Sequence, residues 1–111
     1  MKLPNAENAQ VEKEKIVDYL LNPTHRFGAS KARFFMQFGF RLTQWESFAD
    51  ALREHGQRHE VSRIKNTPFG PRYQVEGELA TPGRRNPQVR TVWQFDHEKI
   101  APRLITAYPL E

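Results

Sequence analysis

The 111-residue sequence contains no cysteine. That absence excludes disulfides, thiolate metal sites and cysteine nucleophiles. Long apolar runs are also missing. No segment approaches the roughly 20 apolar residues that a bilayer span requires. The first ten residues, "MKLPNAENAQ", lack the apolar stretch of a signal peptide. These absences point to a soluble, cytoplasmic chain with no membrane partner. There is no internal repeat and no low-complexity tract, and the length fits one domain over residues 1–111. Histidine is scarce, with 4 in the chain. No pair of them has four-residue spacing inside a regular element with a third ligand nearby, so neither a metal nor another cofactor is expected.

Bulk and charge are what the sequence does supply. Apolar residues make up only 38%, but they include 8 Phe, 2 Trp and 3 Tyr. A chain of this size buries roughly two thirds of its unfolded surface, enough for one core. Lys and Arg number 17 against 13 Asp and Glu, a net charge of +4. The acids crowd the first 60 residues. From Arg58 to Arg90 the cations Arg58, Arg63, Lys65, Arg72, Arg84, Arg85 and Arg90 face only Glu60, Glu76 and Glu78. A basic half suits an anionic partner, nucleic acid or an acidic protein.

The hydrophobic period divides the chain into a helical front and a strand-rich back. "VEKEKIVDYLLNP" places Ile16, Val17, Tyr19, Leu20 and Leu21 on one broad helical face, and Asn22-Pro23 stops it. A second helix follows Ser30, a favourable N-cap, with Ala32, Phe35 and Met36 at helical spacing and Gly39 at its end. "TQWESFADALREHG" gives a third, with Thr43 and Glu46 spaced as a capping box. Its stripe is Trp45, Phe48, Ala49 and Leu52, and Gly56 closes it. From "HEVSRIKN" onward the period becomes two. "RYQVEGEL" aligns Tyr73, Val75, Gly77 and Leu79; "QVRTVWQF" aligns Val89, Thr91, Trp93 and Phe95; "RLITAYP" closes the chain. Short connections imply an antiparallel meander. The expected class is α+β, with about three N-terminal helices on one face of a three- to four-stranded antiparallel sheet.

Four landmarks are distinctive together: "LPNA" at 3–6, "YLLNPTHRFGASKARFF" at 19–35, "RTVWQF" at 90–95 and "PRLITAYP" at 102–109. This pattern resembles a family of small uncharacterised bacterial domains, found alone or at the ends of larger toxin and phage-related chains. Its architecture is similar to the barnase–EndoU–colicin–RelE group of ribonuclease toxins. The resemblance implies a toxin-type ribonuclease and, for a standalone member, an antitoxin-like protein partner. Fold alone does not fix function.

Metal-free RNA cleavage activates a ribose 2′-hydroxyl against the adjoining phosphate and needs proton transfer and cationic donors. His25 is the preferred proton-transfer residue, in a loop leading to a helix whose first turn holds Lys31. A helix N-terminus offers N–H groups to a phosphate. The bland alternative is an ordinary loop histidine and a solvated lysine. His55 and His59, at the end of the third helix, are read as charged caps, and His97 as an exposed loop residue. On the last strand, simple alternation sets Arg103 and Thr106 on opposite faces and Thr106 with Tyr108 on one. Thr106 and Tyr108 are candidate catalytic donors; Arg90 and Arg103 are candidate phosphate clamps. A half-buried edge strand explains the same residues without any ligand. Thr91 is read as a buried hydroxyl bonded to backbone. Arg72, Arg84 and Arg85, near Phe69 and Tyr73 in "KNTPFGPRYQ" and "TPGRRNPQ", are candidate RNA contacts. "GRRN" also fits a plain hairpin tip. RNA and an acidic antitoxin-like protein are the expected partners. A non-catalytic basic module for nucleic acid or protein is the other reading.

Overall fold

The computed structural model describes residues 1–97 and 99–110; Glu98, in the connection "DHEKIAP", and Glu111 lie outside the described residues. The order of elements is helical first, then four strands. Helix α1 is Lys13–Lys15 continuing into a widened turn, Ile16–Leu20. Helix α2 is Ala29–Gln37 and α3 is Trp45–Arg58. The strands are β1 Val61–Thr67, β2 Gly70–Glu78, β3 Gln88–Gln94 and β4 Arg103–Pro109, paired antiparallel in the order β1-β2-β3-β4. The expected α+β layout is therefore the observed one. Among the described residues, no helix is long and apolar enough to cross a membrane.

The core lies between α3 and one sheet face. Phe35, Phe40 and Phe48 stack from the helical side, and Val75, Val89, Trp93, Leu104 and Ala107 meet them from the strands. In α1, the N–H of Leu21 bonds to the carbonyl of Ile16, five residues back, at 2.8 Å. This wider turn seats Ile16, Leu20 and Leu21 in the core and leaves Tyr19 only half-buried. The five-residue stripe expected from the sequence is thus reduced, and Tyr19 is turned toward β4.

Two expected helix starts are displaced. Ser30 is not the cap of α2, because Gly28 takes that position. Thr43 and Glu46 form no capping box: the chain enters α3 through a tight turn at Leu42–Gln44, and no side chain caps it. Gly39 does end α2, with a φ of 101° that side chains disfavour. Gly56 does not end α3, which runs to Arg58. The glycine is needed for packing instead. A Cβ there would lie 2.7 Å from Cζ2 of Trp93.

His55 is not a charged cap. It is buried beneath the sheet, its Nε2–H donating to the carbonyls of Val89 at 2.9 Å and Gly77 at 3.1 Å. Its Nδ1 then accepts from the Thr91 hydroxyl at 2.9 Å, and that hydroxyl accepts from Trp93 Nε1 at 2.8 Å. Thr91 is buried as expected, but its partners are side chains rather than backbone. Burial pushes His55 down from the usual 6.5 to about 4, and His59, 4.9 Å away between ring centres, adds to the shift. The ring is neutral at physiological pH, so every donor in the network meets an acceptor. His97 is exposed, as expected.

Two stability effects are expected. The unfolded state takes up a proton near 6.5 and the folded state only near 4. Stability from His55 is therefore complete above pH 6.5 and falls as the pH drops toward 4. Urea unfolding at pH 7.5 and pH 5 should show a loss of about 2 kcal/mol that His55→Gln lacks. Equal losses in the two proteins would remove this assignment. Gly56→Ala should lower stability by about 1–3 kcal/mol, read from the same denaturation curves, because the Trp93 ring has to move.

Candidate functional site

The site is set by an irregularity in β4. Gln94 pairs with Arg103 and Trp93 with Leu104, but Val92 pairs with Thr106. Ile105 is an extra residue, a β-bulge. Simple alternation would send Arg103 and Thr106 to opposite faces. The bulge instead places Arg103, Thr106 and Tyr108 on one face, opposite Gln94, Val92 and Arg90. Arg72 joins that face through its pairing with Gln94. It is the face turned away from α3. The polar residues of the closing strand thus share a surface, against the flat-strand expectation.

Tyr19 links this surface to the helices. Its hydroxyl lies 2.9 Å from Oγ1 of Thr106, across 87 residues of sequence. Three groups surround its ring. The imidazole of His25 meets it edge-on at 5.0 Å, and Nζ of Lys15 and Lys31 lie 5.5 and 5.7 Å from its centre. Gly28 permits this approach, since a Cβ there would collide with the Tyr19 carbonyl and lie 2.7 Å from its Cδ1. Among the described residues, neither Lys15 nor Lys31 forms an ion pair. Two residues along β4, the Tyr108 hydroxyl accepts from Arg90 Nη1 at 3.1 Å. His25, Lys31, Thr106, Tyr108 and Arg90 therefore lie along one continuous path with Tyr19 at its middle.

His25 has an assigned tautomer. Its Nδ1 accepts from the backbone N–H groups of Phe27 and Gly28, each at 2.9 Å. The neutral ring then carries its proton on Nε2. Those two donors lie in the turn just before α2, and the first helical N–H, that of Ala29, is taken by the His25 carbonyl at 3.0 Å. His25 thus braces the turn before α2, and it presents a donor rather than a base.

The arginines are less available than the sequence implied. Arg90 Nη2 is bonded to Glu76 at 2.8 Å, and Arg103 Nε to Asp96 at 2.7 Å. The hydrogen bonds to Glu76 and Tyr108 raise the Arg90 pKa above its usual value, and the bond to Arg103 holds the Asp96 carboxyl below its own. Beside Arg103 a shallow cleft of about 250 Å³ is lined by Glu12, Glu14, Lys15 and Tyr19. Its two carboxylates make it a poor anion site, so the cationic side of Tyr19 is the one holding His25 and Lys31. Arg72 donates to Gln94 Oε1 at 3.1 Å. Arg84 and Arg85 sit in the β2–β3 loop, where Arg85 lies 5.7 Å from the Phe38 ring at the far end of α2. Along the helix axis that end lies about 13 Å from the start of α2, beside His25, and about 10 Å from Lys31. They are not part of the cluster. No group of three or more metal-ligating side chains occurs among the described residues.

Sequence reading missed Tyr19 and Lys15. Tyr19 was placed in a core stripe, and only its hydroxyl, out of place on such a stripe, hinted otherwise.

A four-stranded meander packed against three helices, with hydroxyls and cations gathered at one edge, defines an α+β domain with a polar edge site. The chain matches the family described as "Domain of unknown function (DUF6883)" over residues 2–111, and it belongs to that family. Comparison with curated proteins gives no match. Among solved structures it is similar to a chain of a "Contact-dependent growth inhibition toxin - immunity protein complex from Klebsiella pneumoniae 342". The two are 12% identical, with a TM-score of 0.71 over 96% of this chain and 97% of that one. At that identity the likeness is one of fold.

The His25 tautomer can be checked directly. Long-range ¹H–¹⁵N spectra at pH 8 should place Nδ1 in the unprotonated range and Nε2 in the protonated range. The reverse pattern, or averaging of the two, would contradict the loop geometry.

Proposed function

We propose that the chain is a toxin-type, metal-independent endoribonuclease acting on single-stranded RNA, and that an acidic antitoxin-like protein masks its basic sheet face. The observation that carries this reading is the Tyr19–Thr106 hydroxyl pair, flanked by His25, Lys15 and Lys31. In the proposed reaction the 2′-oxygen bonds to phosphorus and the bond from phosphorus to the 5′-oxygen breaks. The products are a 2′,3′-cyclic phosphate and a 5′-hydroxyl. Each hydroxyl of the pair both donates and accepts. The 2′ proton passes to one oxygen, that oxygen's own proton crosses the hydrogen bond to the other, and the other releases its proton to the leaving 5′-oxygen, so the protein ends unchanged. Lys31 and the His25 Nε2–H stabilise the charge of the pentacoordinate phosphorus, the kind of preorganised donor set that contributes most to such catalysis. Tyr108 and Arg90 hold the adjoining phosphate. Arg103, Arg72, Arg84 and Arg85 guide the flanking backbone. The route uses no metal and no cofactor. The likeness in fold to a chain of a toxin–immunity complex supports the toxin class.

A second reading is a non-catalytic basic module that binds nucleic acid or a protein. It is favoured by the commitment of His25 Nδ1 to its own loop, and of Arg90 and Arg103 to carboxylates. It calls for salt-sensitive RNA retention without turnover.

Purified protein incubated with total RNA in EDTA separates the two, alongside induced expression in a bacterial host. Cleavage with cyclic-phosphate ends and growth arrest are expected, and Tyr19→Phe and Thr106→Val should each slow cleavage about 100-fold or more. Unchanged rates in both variants would eliminate the hydroxyl relay. Binding without cleavage would move the assignment to the second reading.

A further inference from the structure

Phe27 is 66% exposed, although it is large and apolar, and it belongs to no part of the core. Isolated exposed hydrophobics are common and need no explanation. This one is fixed in place by the site itself. Its N–H donates to His25 Nδ1 at 2.9 Å, and its carbonyl accepts from Lys31 Nζ at 3.3 Å. The two residues flanking the proposed phosphate position are therefore the two that hold the Phe27 backbone. The loop before it is also braced, with Asn22 Oδ1 accepting from the Thr24 N–H at 3.0 Å and its hydroxyl at 2.8 Å. The ring stands 6.2 Å from His25, tilted by 55°, and the Arg26 guanidinium lies 5.2 Å from its centre.

A solvent-facing aromatic ring on a braced backbone, beside cations, suits a nucleobase better than it suits water. Every base has a π-face, and Arg adds backbone charge at the same place. Protein loops that carry such rings lose little entropy on binding when their backbone is already fixed. From this juxtaposition we infer that Phe27 is a base-stacking platform, which receives the unpaired base of the nucleotide next to the phosphate held at His25, Lys31 and Tyr19. The inference rests on the ribonuclease reading and names its substrate class more narrowly. The RNA has to be single-stranded and splayed at the cut, because a base in a duplex has no open face to offer. Any base satisfies the platform, so sequence preference at this position is weak.

The test uses a short single-stranded oligonucleotide of 2′-O-methyl nucleotides, which cannot be cut, carrying one 2-aminopurine. Binding is titrated by the change in its fluorescence. Stacking on Phe27 should quench the fluorophore. Phe27→Ala should weaken binding by about 5- to 100-fold, the range of one stacked base, and abolish the quench. Phe27→Trp should keep both. Lys31→Ala should weaken binding and flatten its salt dependence while the quench remains. If the oligonucleotide binds and Phe27→Ala leaves affinity and quench unchanged, the platform is refuted and the ring belongs to a protein contact. In that case RNA cleavage by the unmodified protein would still stand. If the oligonucleotide does not bind and no RNA is cut, platform and ribonuclease reading fall together.

Discussion

A buried imidazole that must stay neutral governs how the two layers join. His55 spans the interface between α3 and the sheet, with one nitrogen donating to strand carbonyls and the other accepting from Thr91. A buried charge there would cost several kcal/mol without a counter-ion. The neutral ring is instead fully matched, and Trp93 completes the line by donating to Thr91. This network orients as well as stabilises. It fixes α3 over β2 and β3, and Gly56 lets the helix lie directly on the Trp93 indole. With the middle of the sheet so occupied, α1 and α2 lie toward the β4 edge. That displacement is what allows Tyr19 to reach Thr106 on the far face.

The second determinant is one extra residue. Were Ile105 paired in regular alternation instead of bulged, Arg103 would fall on the core face with Ala107, and its ion pair with Asp96 would need a different geometry. With it, Leu104 and Ala107 stay buried toward α3, and Arg103, Thr106 and Tyr108 share the opposite face, where they are half-buried. A bulge thus reconciles two demands on a single strand, an apolar face inward and a polar row outward. Bulges are often found beside active sites for this reason.

Most of the fold could be read from periodicity. The period of 3.6 in "WESFADAL" reports which side faces the core; that of 2 in "QVRTVWQF" groups Val89, Thr91 and Trp93 toward α3, while Val92 and Gln94 on the other face are buried as well. The failures occur where local rules met a stronger neighbour. Gly56 reads as a stop by local propensity, but α3 continues because packing on Trp93 requires a residue without a side chain. Ser30 and Thr43 are good caps by type, yet the chain enters α2 through Gly28, whose carbonyl accepts from the Ala32 N–H, and His25 braces the turn before it. His55 looked like a surface cation, and only its burial shows otherwise. Of the candidate site, the residue types were legible and their grouping partly so. No alternation rule reveals a bulge, and nothing in "KIVDYLL" reveals a five-residue turn that frees Tyr19 from the core stripe. Arg84 and Arg85 were assigned from composition alone, which carries no information about distance.

Charge at the site is better understood through its pairings than through its total. Arg90 and Arg103 are each bonded to a carboxylate, so a phosphate approaching either must displace Glu76 or Asp96 or be met by an already neutralised group. Lys31 faces an aromatic ring and does not line the Glu12–Glu14 cleft, so a phosphate beside Tyr19 on that side meets it without displacing an acid. A cation–π contact is weaker than a charge-assisted hydrogen bond to phosphate, so exchange of one for the other favours the ligand. The same logic separates the chemistry at the two ends of the cluster. The arginine end, already internally satisfied, is suited to shape and register. The lysine end, held beside two hydroxyls and an N–H donor of fixed tautomer, is where added negative charge gains most. A charge that develops during a reaction is stabilised best by donors already in position and not yet committed to another anion.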